Sequence, residues 1–205
     1  MYKVPYFTEQ NEEVVFDFIQ RNSFAIITGF DGNFPVATHV PLEIKKEGGK
    51  IIFTGHMMKN TDHYKAFSQN ENVLVIFNGP HCYVSASWYL KKDIASTWNY
   101  IDVHAKGKIK FTGDEQTRKI IENLTGKYEQ PESEAAFKKL PQEYVDHMVK
   151  AIIGFTIEVS QIENVFKLSQ NRDLKSRENI IANLESLKDA GSHAIALEMK
   201  IRLPE

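Results

Sequence analysis

Lys167, Ser169, Gln170, Asn171 and Arg172 stand together in the segment KLSQNR, two cations and several hydrogen-bond donors crowded at the end of a late apolar run. That set makes a fair anion site. The same letters also make an ordinary solvated strand-to-helix loop, with Asn171 or Asp173 capping the helix that follows, and pattern alone favours the loop. A second cluster is GHMMKN, residues 55 to 60, where a strand end leads through His56, Lys59 and Asn60 into a helix. A helix N-terminus exposes unpaired N–H groups and positive dipole, which suits a phosphate; the plainer alternative is a cap made by Asn60 or Thr61. The third is Thr38-His39, in the middle of an alternating strand with His39 on the row opposite Val36, Val40 and Leu42. A lone strand histidine is usually a half-exposed surface residue.

Other chemistries lack their residues. Seven histidines occur, but no His-x-x-Glu-His or Cys-x-x-Cys spacing, so a metal centre is not expected. No G-x-S-x-G elbow, G-x-G-x-x-G fingerprint or phosphate loop is present, and GPHCYVSASWY offers serines and a histidine without an acid in a recognisable relation to them. The single cysteine, Cys82, cannot form an intramolecular disulfide and reads as a small buried filler, which points to the cytoplasm.

The elements that must position these clusters follow from periodicity. EQNEEVVFDFIQRN is a short amphipathic helix with Val14, Val15, Phe18 and Ile19 as its stripe and Thr8 as its cap. FAIITGF, the turn Asp31-Gly32 and FPVATHVPLEI form a hairpin, and Gly48-Gly49 turns the chain into KIIFTGH. TDHYKAFSQN is helical, VLVIFN reads as a strand buried on both faces, and CYVSASWY as a further strand. In STWNYIDVHAKGKIKF, one row holds Thr97, Asn99, Ile101, Val103, Ala105, Gly107, Ile109 and Phe111, a core face. The other row ends in Lys106, Lys108 and Lys110 yet begins with Trp98 and Tyr100. Six strand candidates between residues 24 and 111 predict a small antiparallel barrel rather than βαβ units. Beyond it, DEQTRKIIENLTGKYE is a helix capped by Asp114, PESEAAFKKLP a connector, PQEYVDHMVKAI a helix, IIGFTIEVSQIENVFKLS a returning strand or hairpin, and RENIIANLESL and AGSHAIALEMKIRL two helices.

With 205 residues, 42% hydrophobic, the chain can bury one substantial core, and no run approaches the roughly 20 apolar residues of a membrane span. The start MYKVPYFTEQ lacks the order of a signal peptide, and a net charge of −2 recruits neither nucleic acid nor an anionic membrane.

The ordered set ATHVPL, GHMMKN, VIFNGPHCYVSASWY, STWNYIDVHAKG, AIIGFTIEV and KLSQNR resembles the PaiB-type family of FMN-binding negative transcriptional regulators. That family belongs to the FMN-binding split-barrel superfamily, related to the pyridoxamine-phosphate oxidases, whose members bind flavin at a homodimer interface. The resemblance implies a mainly β fold with α, an FMN-binding split β-barrel with packed helices, as a single domain over residues 1–205 with C-terminal helical additions. It implies FMN as cofactor and a homodimer. Trp98, Asn99, Thr38 and His39 would flank the isoalloxazine ring; His56, Lys59 and Asn60 would hold the phosphate; Lys167, Ser169, Gln170 and Arg172 would complete the site, from the same subunit or from its partner. Trp98 and Tyr100 would then be dry in the seam between subunits. One departure is the loop LKKDIAS, shorter than usual, with Ser96 where the family often has proline. Two functions remain open: a regulator or repressor whose flavin is structural or reports redox state, and a flavin oxidoreductase acting on a small molecule. DNA as a direct partner has little support, since the best candidate helix, SRENIIANLESLK, spends its apolar face on packing and offers Arg177, Lys188 and nearby Lys175 as its cations.

Overall fold

A computed structural model describes residues 1–2 and 4–204. Seven strands form one sheet: β1 (Phe24–Phe30), β2 (Pro35–Pro41), β3 (Glu43–Glu47), β4 (Lys50–Met58), β5 (Asn72–Val84), β6 (Thr97–Phe111) and β7 (Ile152–Lys167), in the spatial order β2-β1-β5-β6-β7-β4-β3. Among the described residues six α-helices accompany them: α1 (Glu12–Arg21), α2 (Asp62–Gln69), α3 (Asp114–Tyr128), α4 (Gln142–Ala151), α5 (Leu174–Ser186) and α6 (Ala190–Ile201). The registers resolved, β1 with β2 and β5, and β4 with β3 and β7, are all antiparallel. The expectation of a mainly β antiparallel fold with helices is met.

The chain groups into two compact units, each of which takes part of β5, β6 and β7. One comprises residues 19–77 and 104–162. Its core includes Ile27, Val40, Leu42, Phe53, Val75, Phe77, Phe155 and Ile157, with Phe53 and Phe77 edge to face at 5.3 Å. The other comprises residues 1–18, 78–103 and 163–205. Its core gathers Phe18, Val84, Tyr89, Ile101, Val165, Phe166, Leu168, Ile180, Leu184, Ile195 and Met199, and Cys82 is buried within it with its thiol pushed up to about 12 by burial.

Several boundaries differ from the expectation. Thr8 does not cap α1: its hydroxyl donates to the Val4 carbonyl, and Asn11 accepts from the Glu13 amide at 3.0 Å instead. The N-cap position of α3 is Gly113, with Asp114 as the first helical residue. FPVATHVPLEI is two strands broken at Leu42, because the chain pairs with β1 up to Pro41 as β2 and then with β4 as β3. VLVIFN and the start of CYVSASWY are one continuous strand, β5. Gly79 lets it pass, since a Cβ there would lie 2.6 Å from the Ile101 carbonyl oxygen and 2.6 Å from the Phe18 ring. Nor is VLVIFN buried on both faces; Val73, Val75 and Phe77 are buried while Leu74 and Ile76 are half exposed. SASW is a short 3-10 turn, Ala86–Trp88, whereas the late apolar run, expected as a strand or a hairpin, is one 16-residue strand. The alternating strand behaves as expected over its core row, with Asn99, Ile101, Val103, Ala105, Gly107 and Ile109 all buried.

Candidate functional site

In the first unit, β2, β4, α3 and α4 surround a cavity of about 530 Å³. Thr38 and His39 come from the middle of β2, where they pair with Ile27 and Ile26 of β1. His56 and Met57 come from β4, opposite Gly154 and Ile153 of β7. Gly55 precedes them for a steric reason: a Cβ there would sit 2.7 Å from the Phe155 ring and 3.1 Å from Leu42. The remaining wall is apolar and includes Val40, Ile121, Leu140, Val145, Met148 and Ile152. Tyr144 and Met148 also line the cavity yet remain partly open to solvent, so they stand at its mouth.

The polar groups inside this wall are few. Thr38, His39, His56, Thr61 and His63 face the space. The His56 Nδ1 is buried without a hydrogen-bond partner, and burial holds its imidazole below the ordinary 6.5, so it is neutral at pH 7. His63 is committed to Asp62, Nδ1 to Oδ1 at 3.1 Å. His39 is exposed and stacks beside Phe24, ring centroids 6.3 Å apart.

At the end of β4 the chain turns sharply into α2. Asn60 takes a left-handed conformation, φ 62°, which asparagine tolerates better than most residues. Thr61 is the N-cap of α2 and accepts from the Tyr64 amide, so the capping reading of this segment holds for Thr61 and not for Asn60. Lys59 and Asn60 do not line the cavity; they form the corner between Met58 and Thr61, which do. The Lys59 amide donates to the Ala151 carbonyl at 2.9 Å, while its Nζ lies 3.8 Å from the exposed Asp114 carboxylate, a long and weak pairing.

The remaining expected site residues belong to the second unit. Trp98 is 54% exposed and gathers His81 and Tyr83 around it, both ring centroids at 6.1 Å. Asn99 is fully buried and spends its amide internally, accepting from the Ser169 hydroxyl at 3.0 Å and donating to the Met199 sulfur at 3.4 Å. Ser169 has φ 60° and is buried. Gln170 ties the same turn together, accepting from the Leu168 amide at 2.8 Å and donating to the Phe166 carbonyl. Lys167 donates to the Thr97 hydroxyl, and Arg172 stacks over the Tyr89 ring at 4.6 Å. Asp173 caps α5, as one of the two alternatives for this loop had it.

Sequence reasoning missed Met57, Thr61, His63 and the whole contribution of α4 to the cavity. A signal was present: Tyr144, Val145, Met148 and Ile152 recur at helical spacing in PQEYVDHMVKAI.

An apolar cavity of this size with a few convergent donors and an orphaned imidazole nitrogen suits a flat heteroaromatic group, and a cationic strand-to-helix corner beside it suits that group's phosphate. The residues present therefore fit a flavin mononucleotide. Residues 1–161 match the sequence profile of the family described as "Putative FMN-binding domain". The Bacillus subtilis (strain 168) "Protease synthase and sporulation protein PAI 2" is 33% identical over 204 residues, 99% of this chain and 98% of that protein. In fold, the chain is similar to the FAD and heme binding protein from Mycobacterium smegmatis, with a TM-score of 0.58, 14% identity and coverage of 78% of this chain and 73% of that one. It is likewise similar to the flavocytochrome Anf3 from Azotobacter vinelandii, with a TM-score of 0.57, 12% identity and coverage of 81% and 72%. The fold is thus a split β-barrel with packed helices. The chain belongs to the PaiB-type family of FMN-binding proteins, and FMN is its cofactor.

Proposed function

We propose that this chain is a single-domain cytoplasmic regulator-type flavoprotein that holds FMN at a homodimer seam and acts through the state of that flavin rather than through a DNA-reading helix. The observation that carries it is the cavity lined by Thr38, His39 and His56, with the His56 Nδ1 unpartnered, next to the Lys59-Asn60 corner. In this reading Thr38, His39 and His56 meet the edge of the ring system, and Lys59 and Asn60 hold the phosphate. Bound there, FMN supplies one- and two-electron redox chemistry. The protein's part is to exclude water with Val145, Met148 and Tyr144, to orient the ring through neutral imidazole, and to compensate the phosphate with Lys59.

Support for the seam comes from the exposed cluster of Trp98, His81 and Tyr83, a type of surface that monomers rarely leave open. Support for an indirect mode of regulation comes from α5. Arg177 is only 9% exposed and donates to the Arg202 carbonyl at 2.7 Å, and Lys175 pairs with Glu178 at 3.0 Å, so two of the three cations a reading helix would need are engaged elsewhere. The second reading, an FMN oxidoreductase acting on a small molecule, is favoured by the partly open mouth at Tyr144 and Met148. Aerobic and anaerobic spectra of the purified protein with FMN and NAD(P)H test both. A flavin spectrum that binds but resists NAD(P)H supports the regulator, rapid bleaching supports the enzyme, and absence of any bound-flavin spectrum overturns the proposal.

A further inference from the structure

Among the described residues, no lysine, arginine, aspartate or glutamate lines the cavity between β2, β4, α3 and α4. The titratable groups on its wall are His39, His56, His63 and Tyr144. Three of them are engaged elsewhere or open to water. His39, on β2, is exposed and stacks beside Phe24; His63, on α2, is bonded to the Asp62 carboxylate at 3.1 Å; Tyr144, on α4, is 54% exposed at the mouth. From α3 and β7 the wall receives Ile121 and Ile152, which carry no charge. Just outside, at the end of β4, Lys59 and Asp114 face each other at 3.8 Å. His56 is the group with capacity to spare: it is half-buried on β4, it has Gly154 opposite it in the ladder, and its Nδ1 has no hydrogen-bond partner. Burial alone holds its imidazole below the ordinary range. A negative charge enclosed by such a wall is costly unless a cation forms beside it, and an opposite charge within about 4–6 Å moves a pKa by about 1–3 units toward the charged form.

We infer that His56 is a redox-linked proton acceptor, neutral beside oxidised FMN and protonated at Nδ1 when the FMN is reduced. Two electrons from the reductant and one proton from solvent convert the ring to an anion; His56 takes a second proton from solvent and becomes imidazolium; reoxidation returns both protons. Protonation at Nδ1 turns an unpartnered acceptor into a charged donor, the one new cation this wall can supply, since Lys59 is engaged by the phosphate. The flavin's oxidation state is thereby written as a charge on β4, a form in which a regulator without a DNA-reading helix can carry it. The inference rests on the reading that this cavity holds the FMN ring, and the two can fail separately.

The experiment uses the full chain loaded with FMN and labelled with 15N-histidine, held anaerobically at neutral pH and reduced with dithionite. The His56 signals, assigned by their absence in His56→Gln, are expected to report a neutral imidazole in the oxidised protein and a charged one after reduction. An imidazole that is neutral in both states, or charged in both, overturns the inference. The midpoint potential, followed spectroelectrochemically against pH around neutrality, counts the protons: a tenfold change in proton activity moves a two-electron couple by about 30 mV for one proton and about 59 mV for two. Wild type and His63→Gln are expected to follow the two-proton slope and His56→Gln the one-proton slope. A two-proton slope retained in His56→Gln, or lost in His63→Gln, assigns the second proton to another group and overturns the inference. Should His56→Gln fail to fold, selective labelling of the wild type and its response to reduction decide alone. Failure of the underlying reading has its own signature: His56 signals that do not move when oxidised FMN is added to the apo protein place the ring elsewhere, and the inference falls with it.

Discussion

Lys59 is a cation whose only acidic neighbour among the described residues is the distant Asp114 carboxylate. Charge-assisted contacts to phosphate are worth about 1.5–3 kcal/mol, so Lys59→Ala is expected to weaken FMN by about one to two orders of magnitude, read as a dissociation constant by fluorescence quenching. Asp114→Asn removes a competitor for the same ammonium and is expected to leave FMN binding unchanged or tighter; a weakening would show that the carboxylate positions Lys59 rather than competes for it. His56 gives a pH dependence. Its folded-state pKa lies below the ordinary 6.5, so between the two values the unfolded chain binds a proton that the folded chain refuses. Stability is therefore untouched above 6.5 and declines as pH falls below it. His56→Gln is expected to flatten this acid limb in denaturation experiments on the apo protein; an acid limb of unchanged slope would assign the decline to other groups.

The corner between β4 and α2 depends on one side-chain cap. Thr61→Ala removes the acceptor for the Tyr64 amide, which costs about 1 kcal/mol. For a chain of this length the thermal midpoint is expected to fall by about 2–4 °C, with FMN affinity falling as the corner loosens. The same scale separates packing from recognition in α5. Arg177→Met is expected to lower stability, because it leaves the Arg202 carbonyl unpaired, and to leave any retention on DNA unaltered; salt-sensitive binding lost in this variant alone would restore α5 as a reading element. Most elements were legible in the sequence because their periodicity is strong: the buried row of β6, the Gly48-Gly49 turn, and the helices α2, α5 and α6 stand where the pattern puts them. What the pattern did not carry was decided by partners far along the chain. β3 breaks from β2 because β4 supplies its ladder, and β5 runs through Gly79 because Ile101 and Phe18 approach it. The GHMMKN and Thr38-His39 clusters were visible as polar residues out of place, and the structure brings His56, Thr38 and His39 to one cavity. The α4 wall was invisible because an amphipathic stripe looks the same whether it covers a core or a cofactor.

At the scale of the molecule, an exposed Trp98 with Tyr83 and His81 around it is expected to become buried by self-association. Sedimentation at micromolar protein should report a dimer, and Trp98→Ser should shift it toward monomer; a wild type that stays monomeric with and without FMN would rule the seam out. The lone cysteine allows the folding of the same unit to be timed. Cys82 is 3% exposed, its thiol is held protonated up to about 12, and the chain has no second sulfhydryl to compete with it. An alkylating reagent can therefore reach it only when the surrounding shell of residues opens, so the pace of a single chemical modification becomes a clock for breathing of the native state. If flavin and dimer hold that shell shut, the clock should slow on adding FMN in proportion to the fraction of chains loaded, giving a mass-spectrometric readout of occupancy in mixtures where the colour of the cofactor is too faint to see.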